Sequence, residues 1–305
     1  MREGRIMDRR EFLLTASAAA LCPQAFADES AVCGSDGRYA DLQARIDEVT
    51  PNVWARYRAT GDAQGFGALT ALDAAFTRVL DQIERTEVTN RPAVWFVYNM
   101  GFIVKTREAI FSIDLCHPRA TELVPKLDFA LITHNHSDHY TSAFFERMDR
   151  SGKTVIQNFN SNYGVKDWRR QGGYARTEKT FKIKDVTIST VLTDHNDYLV
   201  DFTSAFEISV GDYTIYHTGD CSTEKKIKLQ KPNPDLWIVH PRCGLKPVVG
   251  AEVIRPKKTI IAHLNEMGHA RDRWRWTWAN GLADQAALAA AGFGAEVPLW
   301  GDRVV

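Results

Sequence analysis

The chain of 305 residues lacks the features that would assign it to a special class of protein. It has no apolar run of about 18 residues, which a membrane-spanning helix needs. Neither sign of charge is in excess, because 38 basic residues balance 38 acidic ones, so no global field draws the protein to nucleic acid or to an anionic membrane. No linker rich in proline, glycine or serine divides residues 90–305. These absences predict a globular protein whose main region is one domain.

Cysteine is also scarce, with five residues in the whole chain. Cys22 precedes the cleavage point predicted below, which leaves Cys33, Cys116, Cys221 and Cys243. So few cysteines in a chain of this length do not make a disulfide scaffold, although an oxidising compartment would permit one pair. The fold must therefore depend on an ordinary hydrophobic core, and 44% of the residues are hydrophobic.

Residues 1–27 have the order of regions that is typical of an export signal. The arginine pair Arg9–Arg10 precedes an apolar run, Phe12–Leu21, that is too short to span a membrane, and the small residues of Ala25–Ala27 follow. The segment resembles the twin-arginine signal of bacterial export and predicts cleavage before Asp28. The alternative is a basic tail followed by an amphipathic helix. We expect a periplasmic or secreted protein.

Helical spacing of apolar residues characterises residues 28–90, most clearly from Tyr39 to Glu84. The glycines between Gly61 and Gly67 interrupt this spacing, so two or three helices are expected. The pattern predicts a helical N-terminal extension, attached to the main domain or capping its cleft.

From Ala93 onwards the pattern changes to short runs of β-branched and aromatic residues separated by turns, which predict strands. Two helices are expected between them, at Ser142–Arg150 and Ala283–Ala291. Strands in two blocks with interspersed helices predict an α/β fold in which two packed sheets are flanked by helices, within a catalytic domain at residues 91–305. The predicted strands are Val94–Tyr98, Phe102–Lys105, Ala109–Ile113, Asp128–Thr133, Thr154–Gln157, Thr180–Ile183, Val186–Leu192, Phe202–Val210, Tyr213–His217, Leu236–Val239 and Thr259–Ala262.

A dense group of metal-binding residue types follows the strand predicted at Asp128–Thr133. His134, His136, Asp138 and His139 fall within six residues on a loop that leads from this strand into a helix. A tight loop can aim alternate residues at one metal ion and the next two at a second. Imidazole and carboxylate together suit zinc, and also manganese or iron.

One short loop cannot fill two coordination shells, so further ligands are expected at the ends of later strands. His195, Asp220 and His263 each lie at or just beyond the end of a predicted strand. A single histidine after a strand is more often a surface or capping residue. Seven ligand types that all occupy strand ends nevertheless favour a metal site, because one edge of the fold can collect them.

The order H-x-H-x-D-H, a lone histidine, an aspartate in a T-G-D turn and a final histidine resembles that of the metallo-β-lactamase-fold hydrolases. The resemblance covers residues 95–270 and implies a four-layer αββα sandwich that holds two divalent metal ions, zinc being favoured over Mn²⁺ or Fe²⁺. It implies that the first metal is bound by His134, His136 and His195, the second by Asp138, His139 and His263, and both by Asp220.

The opening segment Gly101–Asp114 is most similar to the branch that contains the ascorbate-phosphate lactonases and the N-acyl-phosphatidylethanolamine phospholipases. In that comparison Asp114 matches an aspartate that ends an early strand and steadies the ligand loop. The resemblance does not extend to residues 28–90.

Two metal ions can hold a water molecule and lower its pKa, so that hydroxide attacks a lactone, phosphodiester, ester or amide. Asp138 is a candidate to accept the proton of the attacking water. The expected substrate is a small or lipid-like molecule, and nucleic acid is not expected as a partner. Three alternatives stay open: hydrolysis of β-lactams, oxygen or nitric oxide reduction at two irons, and a metal-binding role without turnover. The redox alternative is disfavoured because no flavin-binding domain follows in the sequence.

Several residues allow more than one interpretation. Cys221, His240 and His269 could contact metal or substrate, or could pack in the interior and on solvated loops; packing is favoured for Cys221. The basic and aromatic residues of Arg271–Trp278 alternate in a way that could stack on a nucleic acid or on an anionic headgroup. If this segment were helical, two of its tryptophans would share one face, which favours packing.

Overall fold

The computed structural model describes residues 37–157, 178–195 and 199–305, with the side chains of residues 199–202 left out. The predicted export signal lies outside the described residues and stays a prediction. Among the helices in these ranges, none combines the length and the apolar composition that a membrane span requires.

Three helices form the first part of the described chain. The break between the first two falls at Thr50, whose hydroxyl accepts a backbone N–H as the N-cap, and at Pro51, which occupies the first helical turn. The second helix ends at Gly61, where a φ of 72° requires the left-handed conformation. These helices are α1 (Gly37–Asp47), α2 (Pro51–Thr60) and α3 (Gly67–Arg85).

The three helices share the hydrophobic core of the rest of the chain. The buried face of α3 includes Leu72, Phe76 and Val79, and this helix packs on the first strand. The Trp54 ring of α2 lies 4.8 Å from that of Tyr98, measured between centroids. The boundary predicted at residue 90 between an extension and a catalytic domain stays a prediction.

The first sheet has five strands in the order β1-β2-β3-β4-β5. Its first three strands pair antiparallel, whereas β3, β4 and β5 run parallel. Most of its residues are buried, as expected for a sheet covered on both faces. The elements of this half are β1 (Ala93–Tyr98), β2 (Gly101–Lys105), β3 (Ile110–Ile113), a 3-10 turn (Ala120–Glu122), β4 (Phe129–Ile132), α4 (Ser142–Arg150) and β5 (Thr154–Gln157).

The second sheet has seven strands in the order β12-β11-β10-β9-β8-β7-β6. Strands β6 to β9 pair antiparallel, and β9 to β12 run parallel. Its elements are β6 (Thr180–Ile183), β7 (Val186–His195), β8 (Leu199–Val210), β9 (Tyr213–His217), a 3-10 turn (Glu224–Lys226), β10 (Leu236–Val239), α5 (Pro247–Ile254), β11 (Lys258–Ile261), α6 (Trp278–Ala290) and β12 (Ala295–Glu296).

The two sheets pack face to face between outer helices. The Phe102 ring on β2 meets the His217 ring on β9 edge-on, with centroids 6.0 Å apart. Helices α3 and α4 pack on the first sheet and α6 packs on the second. The layers are therefore helix, sheet, sheet and helix, and the predicted α/β sandwich is confirmed.

The segment Arg271–Thr277 corrects one expectation, because it forms turns and irregular backbone instead of a helix. Trp278 is buried at the start of α6, as packing predicted, but Trp274 has a φ of 58° and is 58% exposed. Between them, the buried Arg275 guanidinium donates to the carbonyl oxygens of Ile46 and Val49. These buried carbonyl groups need hydrogen-bond donors, and the segment adopts the irregular backbone that lets Arg275 supply them.

Candidate metal centre

Sheet topology brings the predicted ligands to one edge of the sandwich. Strands β9, β10 and β11 are parallel, and β7 points the same way because it is two antiparallel steps from β9. In the first sheet β3 and β4 are parallel as well. Segments that follow the carboxyl ends of parallel strands meet at one edge, where open α/β sheets bind their ligands.

Three imidazoles form the first group at this edge. The ring centroids of His134 and His136 are 4.5 Å apart, and that of His195 lies 5.1 Å from the first and 5.0 Å from the second. One ligand atom from each side chain lies within 4.8 Å of the other two. This spacing suits three nitrogens that bind one ion.

Asp138, His139 and His263 form the second group. Asp138 Oδ2 lies 3.1 Å from His263 Nε2 and 3.6 Å from His139 Nε2. His134 also lies close to His139, with ring centroids 4.0 Å apart, so all four ligand-type side chains of the loop meet at one place and their division between two metal ions stays a prediction.

The Asp220 carboxylate lies between the two groups. Its Oδ2 atom is 3.7 Å from His195 Nε2 and 3.5 Å from His263 Nε2, and its Oδ1 atom is 3.4 Å from His139 Nε2. Gly219 precedes it with a φ of 52°, and a Cβ atom there would lie 2.8 Å from Thr133 Cγ2. The tight glycine turn thus brings the carboxylate close to the ligand loop.

Asp114, which follows β3, fixes the ligand loop and the tautomers of two histidines. Its Oδ1 accepts from the Thr133 backbone N–H at 2.7 Å, and its Oδ2 accepts from the His139 ring at Nδ1 at 2.9 Å. The Thr133 hydroxyl donates to the same carboxylate at 2.7 Å, which leaves its lone pairs to accept from His134 Nδ1 at 3.0 Å. Both rings therefore carry their proton on Nδ1, so that Nε2 is free to bind a metal.

The electrostatics differ between the two groups. Burial, together with neighbouring imidazoles, lowers the pKa of His134 and His195, and lowers that of His136 to about 4, so these rings are neutral near pH 7. Burial also opposes the charged form of His139 and His263, but the nearby carboxylates of Asp220 and Asp138 raise the pKa of both rings.

The donor set fits divalent cations. His134 Nε2, His139 Nε2 and Asp220 Oδ1 are buried and have no hydrogen-bond partner within the described part of the chain. Buried polar atoms are rarely left in this state, and a bound cation would satisfy all three. Imidazole and carboxylate ligands suit zinc, manganese or iron. The assignment of each side chain to one of two metal positions stays a prediction.

Asn99 and His240 also lie at the site. No sequence pattern indicated Asn99, whereas contact with metal or substrate was one of the two interpretations of His240. Asn99 Nδ2 donates to Asp138 Oδ2 at 3.1 Å, and the Asn99 carbonyl accepts from the His263 backbone N–H at 2.9 Å. His240 is buried and stacks on the His263 ring, with centroids 3.8 Å apart. A solvated loop was therefore the wrong alternative for His240.

The candidates Cys221 and His269, and the nearby His217 at the end of β9, lie in different environments. Cys221 is buried as expected, its thiol donates to the Thr223 carbonyl at 3.2 Å, and burial raises the pKa of this thiol to about 11. His217 is a packing residue, since its Nδ1 accepts from the Gly219 backbone and its Nε2 donates to a backbone carbonyl. His269 lies 2.9 Å from the buried carboxylate of Glu266.

Comparison with known families agrees with this geometry. The sequence profile of the family described as "Beta-lactamase superfamily domain" matches residues 105–262, just over half of the chain. The chain belongs to the β-lactamase superfamily. The match begins in β2 and ends one residue before His263, so it includes six of the seven predicted ligands of this superfamily member.

Relatives of this superfamily member include the "UPF0173 metal-dependent hydrolase" of Myxococcus xanthus (strain DK1622), which is 27% identical over 243 residues, 70% of this chain and 82% of that relative. The protein of the same name from Anaeromyxobacter sp. (strain K) is 26% identical over 167 residues, 47% of this chain and 59% of its own length. The match thus spans about three fifths of the latter protein.

Among solved structures, Igni18, "a novel metallo hydrolase" from the archaeon Ignicoccus hospitalis, has a TM-score of 0.54 at 17% identity and covers 70% of this chain and 97% of its own. This likeness shows that the two proteins share a fold.

Proposed function

We propose that this protein is a hydrolase that uses two divalent metal ions to cleave an ester-like bond. The observation that supports it best is the position of Asp220, whose carboxylate oxygens lie within 3.9 Å of imidazole nitrogens from both groups of candidate ligands. A carboxylate between two sets of ligands is suited to bridging two cations. The relatives named metal-dependent hydrolases support hydrolysis as the reaction.

When bound, two such cations supply a water molecule of lowered pKa and stabilise negative charge that develops on the substrate. The protein's own part is to hold the ligands in place. Asp114 and the Thr133 hydroxyl orient the two buried imidazoles of the ligand loop. Asn99 donates to the Asp138 carboxylate at 3.1 Å, and we propose that this carboxylate accepts a proton during the reaction.

Lactones and phosphodiesters are the substrate classes we favour. The opening Gly101–Asp114 resembles the lactonase and phospholipase branch, and a bridging aspartate such as Asp220 is a feature of superfamily lactonases and phosphodiesterases. True metallo-β-lactamases lack this aspartate, and some use a cysteine ligand. Cys221 does not support that role, since its thiol donates to a backbone carbonyl and keeps its proton at neutral pH.

The test is a substrate panel on zinc- and manganese-loaded protein, with a chromogenic phosphodiester, a lactone, a carboxylic ester and a chromogenic cephalosporin. We expect turnover of the diester or the lactone, and loss of turnover in an Asp220→Asn variant that is folded. Turnover of the cephalosporin alone would favour the β-lactamase alternative. A fully metal-loaded protein that hydrolyses none of the four would favour a metal-binding role without catalysis.

We further propose that the protein acts outside the cytoplasm, after twin-arginine export. The support is the order of arginine pair, apolar run and small residues in residues 1–27. Replacing Arg9 and Arg10 with lysines should leave the full-length precursor in the cytoplasmic fraction, whereas the unaltered protein should be recovered from the periplasm, shortened before Asp28. Equal partition of the two forms would contradict export by this route.

A further inference from the structure

His240 is an eighth metal-binding type of side chain at the site, and it follows the end of β10. It is 5% exposed, and its ring stacks on that of His263 with an angle of 5° between the planes. One of its ring nitrogens, one nitrogen of His263 and one Asp220 oxygen all lie within 4.8 Å of one another. The proximity raises the question whether His240 binds metal or has another role.

The hydrogen bond at Nδ1 determines the tautomer of the His240 ring. His240 Nδ1 accepts from the Arg242 backbone N–H at 3.3 Å, so this nitrogen carries a lone pair and no proton. A neutral ring in this state carries its proton on Nε2. His139 has the opposite arrangement, because its Nδ1 donates to the Asp114 carboxylate and leaves a lone pair on Nε2. The tautomer of His240 therefore suits a hydrogen-bond donor and does not suit a metal ligand that binds through Nε2.

The side chain of Arg242 helps to fix this arrangement. Its guanidinium is bonded to the Asp284 carboxylate at 3.1 Å and 3.2 Å and lies over the Trp276 ring, 5.8 Å from the centroid. These contacts anchor the side chain of the residue whose backbone N–H donates to His240 Nδ1. Because its charge is already paired, Arg242 is not a free cation for an anionic substrate, and the His240 ring offers a neutral donor beside the candidate ligands.

Among residues 37–157, 178–195 and 203–305, the hydrogen bond of the His240 ring is the one at Nδ1, and its neighbours at Asp220 and His263 are within 4.8 Å without a hydrogen bond to it. His240 Nε2 is not one of the fully buried side-chain atoms without a partner, a set that includes His263 Nδ1, so it is open to a molecule in the cleft, and an oxygen atom of a substrate can accept from it. The neighbouring Asp220 oxygens are the place where the proposed function puts the reacting group.

We propose that His240 is a substrate-binding residue whose Nε2–H donates to an oxygen atom of the substrate's phosphoryl or carbonyl group beside Asp220 and His263. This inference rests on the proposed hydrolase function and adds a specific contact to it. It also defines the substrate class, since the group next to the second set of ligands must present an oxygen that accepts a hydrogen bond.

Two variants separate the donor from the ring. His240→Phe keeps an aromatic ring that can stack on His263 but has no N–H, whereas His240→Gln places an amide N–H near the former position of Nε2. Inorganic phosphate serves as the probe, and its dissociation constant is measured by calorimetry on zinc-loaded wild type and variants. Metal content by elemental analysis and the thermal midpoint are measured on the same samples, with His139→Ala as the reference for metal loss.

We expect both His240 variants to keep the metal content of the wild type. His240→Phe should bind phosphate about 10- to 100-fold more weakly, which corresponds to one hydrogen bond to a charged acceptor, and His240→Gln should recover most of the affinity. Wild-type phosphate affinity in a folded, metal-loaded His240→Phe would overturn the proposal. So would loss of metal in that variant, which would make His240 a ligand.

The wild type alone distinguishes failure of this inference from failure of the proposed function. If the wild type takes up no metal, the hydrolase proposal fails first. If it holds metal but does not bind phosphate, the metal centre stands and the proposed oxygen contact of His240 is refuted.

Discussion

Asp114→Asn is the substitution whose effect the structure defines most closely. The Asp114 carboxylate accepts three hydrogen bonds, from the Thr133 backbone, the Thr133 hydroxyl and His139 Nδ1, at 2.7 Å, 2.7 Å and 2.9 Å. Asparagine has nearly the same shape and tolerates the φ of 44° at this position. The variant therefore tests the hydrogen bonds and not the backbone.

An asparagine cannot accept all three hydrogen bonds, because one carboxylate oxygen becomes an NH₂ donor. If the carbonyl faces the Thr133 backbone, the NH₂ group faces the His139 ring and favours the tautomer with its proton on Nε2, which removes the lone pair a metal needs. Loss of the carboxylate that accepts from the Nδ1–H of a metal-binding histidine lowers metal affinity about 10- to 100-fold, which corresponds to about 1.4 to 2.8 kcal/mol. Zinc competition with a chromogenic chelator at fixed pH measures this change.

Asp128→Asn is the matched control. Asp128 precedes β4, and its carboxylate also accepts from a backbone N–H, that of Ile110 at 2.9 Å, and pairs with Lys184. It lies at the opposite end of the strand from the ligand loop, so the control should bind zinc as the wild type does. Wild-type zinc affinity in Asp114→Asn, or an equal loss in Asp128→Asn, would refute the positioning role of Asp114.

Three further predictions follow from single sites. Gly219→Ala should lower the free energy of unfolding, measured with urea, by about 1–3 kcal/mol and weaken zinc binding, because it strains the turn before Asp220. The control is Gly211→Ala, at a φ of 58° with open space around the new Cβ atom, which should leave zinc binding unchanged. The buried side chain of His117 has a pKa lowered to about 3 by burial, against about 6.5 in the unfolded chain. As pH falls below about 6.5 the unfolded chain binds a proton at this residue and the folded protein does not, so the folded protein becomes less stable. In the metal-free protein, protonation of this residue should lower the free energy of unfolding by about 2 kcal/mol between about pH 7 and 5. Urea unfolding of His117→Phe should show a free energy of unfolding that falls by about 2 kcal/mol less than that of the wild type over the same pH range. Asp138→Asn at saturating metal should lower kcat about 100-fold or more, and full metal content with full kcat would remove the proton-accepting role of this residue.

Local sequence patterns predicted the sandwich because its strands are short runs of β-branched and aromatic residues, such as Leu236–Val239, which burial on both faces demands. The ligand loop was predictable for a related reason. A side chain that follows the carboxyl end of a strand must lie near the side chains that follow parallel neighbours, so His263 and Asp220 meet although 42 residues lie between them in the sequence.

Other features depend on contacts that no local pattern reveals. The helix that begins at Pro51 follows a threonine and starts with a proline, which is a typical helix start, but the helical spacing of apolar residues continues on both sides of it. Trp274 is exposed because the buried Arg275 satisfies distant carbonyl groups, which helical spacing cannot show. His240 directly follows the predicted strand Leu236–Val239, which made contact with metal or substrate one interpretation, but its stacking on His263 depends on β10 lying beside β11 in the sheet.

Metal content tests the central claim most directly. Elemental analysis of the purified protein after addition of zinc or manganese should find about two metal equivalents per chain, as a binuclear site requires. A folded His136→Ala variant should lose a large part of that metal, since this imidazole belongs to the first group. A well-folded wild type that takes up no metal from either salt would contradict the account and would leave the fold without the proposed chemistry.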